Sequence, residues 1–157
     1  AALEAMDASE RVAIHSGFLE GTTAAENWLA DTLRNQGRHG IPAQLGDKHA
    51  NIPTPDFAPN TSRFPDYLED APNGKVSHEM KYGTPPAGSP LEESALKQCA
   101  QDAHIRNNNL GGVVETVWHF VPRRHTYHGK EYNSVGPSAA LLKCLQDNAI
   151  PFVIYLP

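Results

Sequence analysis

Two apolar runs and the helix between them constrain this chain most. Val113 to Val121 is rich in β-branched and aromatic residues, and Ile150 to Leu156 is a near-continuous apolar run. The first reads as a strong strand, the second as a strand buried on both faces. Between them, Ser138 to Asn148 carries Leu141, Leu142 and Leu145 at helical spacing. Strand, helix and strand in that order put the chain in the α/β class.

Earlier segments extend the pattern. Thr23 and Glu26 form a capping-box arrangement ahead of the apolar stripe Ala25, Trp28, Leu29 and Leu33, and Gly37 supplies a helix stop. A weak strand over 38–45 precedes a loop over 47–61. Segments 62–69 and 75–82 then flank an Asn73-Gly74 turn signal. Ser89, Pro90 and Glu92 open a helix that carries Leu91, Ala95, Cys99 and Ala103 inward and stops at Asn107-Asn108-Asn109. The element order is α-β-β-β-α-β-α-β. The first twenty residues, with Leu3, Met6, Val12 and Ile14, read as a short amphipathic lead-in. The chain opens on Ala1 without an initiator Met, so we expect residues 1–22 to lead in from a longer parent chain.

Composition sets limits. The 157 residues fit one domain, with 39% apolar and 20% charged residues, as in a globular protein. No apolar run approaches a membrane span. Cys99 and Cys144 fall on apolar helix faces without C-x-x-C spacing, and we expect core thiols. A net charge of −5 argues against a broadly basic nucleic-acid binder. Cationic residues are nevertheless concentrated locally, at Arg123, Arg124, His125, His128 and Lys130.

The chemistry gathers around the suspected hairpin. Glu79 and Lys81 stand two apart and face one side of a strand. A two-residue Asn73-Gly74 turn puts Asp66 opposite Lys81, and a four-residue loop over 71–74 puts it opposite Glu79. Either register leaves all three on one face, whereas an odd loop sends Asp66 to the other. Hard cations take one or two protein carboxylates and fill the shell with water and phosphate. Asp66, Glu79 and the Met80 carbonyl supply such a set, and Lys81 can orient water or stabilise charge on the phosphate. A solvated cross-strand ion pair would account for Glu79 and Lys81 alone.

Pro65-Asp66 followed by Glu79-x-Lys81, within this order of elements, resembles the PD-(D/E)XK nuclease superfamily. The resemblance implies a restriction-endonuclease-like core, a mixed central sheet flanked by helices, and Mg²⁺ or Mn²⁺ in preference to Zn²⁺. It places Asp66 and Glu79 as metal ligands and Lys81 as a catalytic residue. Many members add a glutamate from the first helix, matched by Glu26, and several a glutamine from the helix after the meander, matched by Gln98 or Gln101. Asp56 is a substitute or supplement for Glu26. Met80 departs from the family pattern, where a small β-branched residue is commoner, as does the Pro-rich segment before Pro65.

Within the superfamily the chain is similar to C-terminal toxin domains of contact-dependent inhibition and polymorphic toxin systems. That likeness implies delivery by a larger secreted or cell-surface protein, action in the target bacterium's cytoplasm, and a cognate immunity protein. DNA stands slightly ahead of transfer RNA as substrate. A non-catalytic nucleic-acid-binding domain is the alternative, and it leaves Asp66, Glu79 and Lys81 apart. A zinc hydrolase built on the histidines is another, though His125-x-x-His128 lacks clear third and fourth ligands. Arg123, Arg124, His125 and Lys130 are expected to clamp phosphates from a polar loop. His78 should point away from Glu79, and Trp28 and Trp118 should lie in the core.

Overall fold

The computed structural model describes residues 14–42 and 50–157. Most of the expected lead-in helix, residues 43–45 of the weak strand and the first residues of the following loop lie outside the described residues. The elements are α1 (Thr22–Asn35), β1 (Gly40–Pro42), β2 (Ile52–Pro53), β3 (Ser62–Arg63), β4 (Tyr67–Ala71), β5 (Gly74–Tyr82), α2 (Pro90–Asn107), β6 (Val113–Val121), β7 (Arg123–Tyr127), β8 (Lys130–Ser134), α3 (Ala139–Asp147) and β9 (Phe152–Ile154). Five strands form the central sheet in the order β1-β4-β5-β6-β9. β1, β4 and β5 run antiparallel as a meander, and β6 and β9 add in parallel. The class is α/β with a mixed central sheet flanked by helices. Without the small pairs β2–β3 and β7–β8, the expected element order stands.

α1 covers one face. Ala25, Leu29 and Leu33 pack with Tyr67, Val76, Met80, Val117, Val153 and Tyr155, and Trp28 meets Tyr155 edge-on. Gly37, at φ 79°, ends α1. There the Gly37 and Arg38 N–H groups donate to the carbonyls of Arg34 and Leu33, a Schellman ending. The expected capping box does not form: the helix starts at Thr22, the cap residue is Gly21, and no side chain caps it. Glu26 is thereby free to turn toward the sheet.

α2 and α3 cover the other face, where Ala95, Cys99 and Ala103 meet Trp118, Phe120, Leu141 and Leu145. Ser89 caps α2 by accepting from the Glu92 N–H, and Glu92 in turn accepts from the Gly88 N–H. Leu91, expected inward, is 69% exposed, and it sits in the first turn of the helix.

Three further expectations change. Cys99 and Cys144 form a disulfide between α2 and α3 rather than remaining thiols; the crossing of two helices, invisible in sequence spacing, brings them together. β9 is an edge strand of three residues, with Leu156 meeting His15 in an isolated bridge beyond it. The polar segment after β6 is a two-stranded ribbon, not a loop. Among the described residues, no helix is long and apolar enough to cross a membrane.

Candidate active site

The β4–β5 register decides what meets what. Ala71 pairs with Gly74 and Tyr67 with His78, so the turn residues are Pro72 and Asn73, one place earlier than Asn73-Gly74. Gly74 stays in the strand because a Cβ there would approach Val114 Cγ1 to 2.6 Å. One step beyond Tyr67, the same register sets Asp66 opposite Glu79. The Asp66 Oδ2 accepts from the Met80 N–H at 2.7 Å, which fixes the carboxyl against β5. Glu79 and Lys81 face α2, while His78 faces α1 as expected.

Glu79 is 5% exposed and its two oxygens are divided between cations. Arg63 Nη2 donates to Oε2 at 2.7 Å, and Lys81 Nζ lies 3.1 Å from Oε1. Burial pushes this carboxyl up, but the charges of Arg63 and Lys81 prevail and hold it below the usual range. Lys81 also donates to Gln98 Oε1 of α2 and lies 5.4 Å above the Trp118 ring. Gln98 is therefore the glutamine that reaches the site. Gln101 is spent on Thr54 Oγ1 and the Ser62 carbonyl.

Asp66 behaves oppositely. Burial first, then the Glu79 charge, with Glu26 adding, push its carboxyl up to about 8 against the pull of the Met80 N–H. Burial and Glu79 likewise raise Glu26. The three carboxyls of the expected set thus sense one another. Asp56 does not join them on the same terms: it is exposed in the turn after β2, in a loop whose Phe57 packs on His104 near the far end of α2.

Sequence reasoning missed Arg63 and Asp102. Arg63, 6% exposed, donates from Nε and Nη2 to Asp102 at 2.8 and 3.2 Å while holding Glu79. Asp102 also accepts from Trp118 Nε1 at 2.9 Å. Burial raises the Asp102 carboxyl despite Arg63. A buried arginine between two acids leaves no periodic trace, since β3 is only two residues long.

The expected phosphate-binding residues stand on the ribbon. Strand alternation and register put Arg123, His125, Lys130, Tyr132 and Ser134 on one face, with Arg124 on the other. A cleft of about 310 Å³ lies between Lys81 and this face, lined by Pro85, Pro86, Leu91, Arg123 and His125 among others. Arg123 stacks over the Tyr82 ring at 5.4 Å, and Arg124 over Phe18 at 4.9 Å.

A second polar cluster, also missed, fills the α1 face. Arg38 Nε donates to Glu69 Oε1 at 2.8 Å, and His78 Nε2 meets the same oxygen at 2.8 Å. His78 Nδ1 lies 2.8 Å from His119 Nε2, and His119 Nδ1 lies 2.8 Å from the Tyr155 hydroxyl. Burial, then His78 and Arg38, hold the His119 ring well below its ordinary value.

No group of three or more His, Cys, Asp or Glu side chains among the described residues is arranged to hold a metal ion. Compared with family models, curated proteins and solved structures, the chain matches none.

Proposed function

We propose that this protein is a metal-dependent nuclease of the PD-(D/E)XK, restriction-endonuclease-like kind. One observation carries the reading: Asp66 stands opposite Glu79, on the face where Lys81 is held between Glu79 and Gln98. A binding domain without chemistry gives no reason for these groups to converge.

The donor set fits a hard divalent cation, Mg²⁺ or Mn²⁺. Four acids (Glu26, Asp66, Glu79, Asp102) gather around two bases, the buried Arg63 and the partly exposed Lys81, and Asp66 is raised by its burial first and by the Glu79 charge second. Such ions need only one or two carboxylates beside carbonyl and water oxygens. Asp66, Glu79 and the Met80 carbonyl would hold it, with Glu26 adding charge. When bound, the ion lowers the pKa of water and neutralises charge on the phosphate.

The chain's own residues do the rest. Arg63 fixes the Glu79 carboxylate, and Asp66 must release its proton before it can act as a ligand. Lys81, aimed by Glu79 and Gln98, stabilises the charge that develops on the phosphoryl oxygens or orients the attacking water. Arg123 extends the positive wall along the cleft, and His125 adds a hydrogen-bonding ring beside it; together they position the strand.

The biological reading is an antibacterial toxin domain, delivered by a larger secreted or surface protein and neutralised by an immunity protein. The Cys99–Cys144 bond suits a chain that passes through an oxidising compartment. DNA is the first candidate substrate and transfer RNA the second.

Plasmid DNA and total transfer RNA, incubated with Mg²⁺, Mn²⁺, Zn²⁺ or EDTA, test the chemistry. Metal-dependent cleavage that disappears in Lys81→Ala supports the proposal; a folded protein that cuts neither polymer with any metal refutes it. Growth arrest on expression in bacteria, relieved by Asp66→Ala, tests the toxin role, and harmless expression of the intact protein counts against it.

A further inference from the structure

We propose that the β7–β8 ribbon and the cleft beside Lys81 form a guide for unpaired nucleic acid, with Tyr132 as its stacking platform. The inference rests on the nuclease reading and narrows its substrate to a strand whose bases are free.

Three observations point the same way. Tyr132 is 41% exposed, yet its ring is already flanked: His125 stacks on it at 5.6 Å and 19°, and Lys130 Nζ sits 5.4 Å from its centre. An exposed ring beside an imidazole and an ammonium offers its open part to a base, because every base has a π-face. The ring also belongs to the site, since His125 both stacks on Tyr132 and lines the cleft that Lys81 enters.

The cleft itself has a mixed lining. Pro85, Pro86 and Leu91 supply its apolar lining, while Lys81, Arg123 and His125 supply its polar lining. At about 310 Å³ it lies at the lower end of the range for small-molecule sites, which runs from roughly 300 to 1,000 Å³. Such a slot takes a flat base against the prolines and its phosphate against the cations. A base paired within a duplex presents only its edge and cannot enter.

Charge argues against a duplex grip. Strong duplex binding comes from neutralising about 6–10 phosphates with Lys and Arg. Here the whole chain carries −5, and the Tyr132 face of the ribbon has only Arg123 and Lys130 as its arginine and lysine. Stacking must supply what phosphate contacts do not.

Fluorescence polarisation in EDTA tests this with labelled short single strands of DNA and RNA and their duplexes. The single strands should bind more tightly than the duplexes, and the DNA and RNA arms identify the sugar preferred. Tyr132→Ala should weaken single-strand binding about tenfold, Tyr132→Phe should retain it, and Thr126→Ala on the opposite ribbon face should leave it unchanged. Duplex binding equal to single-strand binding, no binding of any strand, or an unaffected Tyr132→Ala would overturn the guide. Cleavage run in parallel with Mg²⁺ separates the two readings. Cleavage without single-strand preference keeps the nuclease and removes the guide. Single-strand binding lost in Tyr132→Ala, without cleavage under any metal, keeps the guide and removes the nuclease.

Discussion

On the α1 face of β5, His78 gives one ring nitrogen to Glu69 and the other to His119; on the α2 face, Glu79 divides its oxygens between Arg63 and Lys81. The two residues are chain neighbours, and each anchors a buried polar cluster. In the first, acid, imidazoles and phenol meet in sequence, and His78, His119 and Tyr155 are fully buried. In the second, acids outnumber bases, and the Lys81 side chain is 20% exposed beside a cleft. Balanced partners, with His78, His119 and Tyr155 closed off from solvent, specify packing. Unbalanced charge with an opening is the environment in which perturbed groups perform chemistry.

Removing Lys81 should separate the clusters most. Lys81→Ala is expected to lower cleavage by about 10²–10⁴-fold while changing stability by only about 1 kcal/mol, read from turnover and urea melts. Comparable loss of folding would place Lys81 with the structural cluster instead. Arg63 joins both roles. Arg63→Met leaves Glu79 and Asp102 buried without their cation and should cost about 3–5 kcal/mol, measured by the same melts.

Asp66 gives the contrast a pH dependence. Its carboxyl rises from an ordinary 3.8 to about 8 on folding. The folded state therefore favours the protonated form. Its contribution is fully present below about pH 4 and is lost as pH rises toward about 8, by at most 1.36 kcal/mol per pH unit. In EDTA, wild-type stability should fall across that window more steeply than that of Asp66→Asn. Parallel curves would show that Asp66 is ionised in the metal-free protein. The smallest effect belongs to the sealed side: Tyr155→Phe removes the hydroxyl from His119 and should cost about 1–2 kcal/mol with cleavage unchanged.

What the sequence revealed follows from what local patterns encode. Ser89-Pro90 and Gly37 mark helix ends because caps are local chemistry. The boundaries of β6 are legible because seven of its nine residues are β-branched or aromatic strand formers. The convergence of Asp66, Glu79 and Lys81 depends only on the parity of one turn, so it survives the misplacement of that turn by one residue. Arg63, Asp102 and the His78–His119 pair were hidden because each is explained by a partner at least sixteen positions away. The ribbon was hidden because Arg123, Arg124 and His125 look like solvated loop residues until Tyr132 and Ser134 pair across from them. Thr23 and Glu26 gave a false cap because the same residues serve equally well inside a first turn.

The bond from α2 to α3 also limits how far the chain can be drawn out. Cys99 and Cys144 are 45 positions apart and bracket β6 and the whole ribbon. Pulled from its ends, the oxidised polypeptide withholds that stretch, roughly 150–160 Å of contour at full extension. A channel one strand wide meets a closed loop it cannot thread until the sulfurs are reduced, so the reachable length of this molecule reports its thiol state.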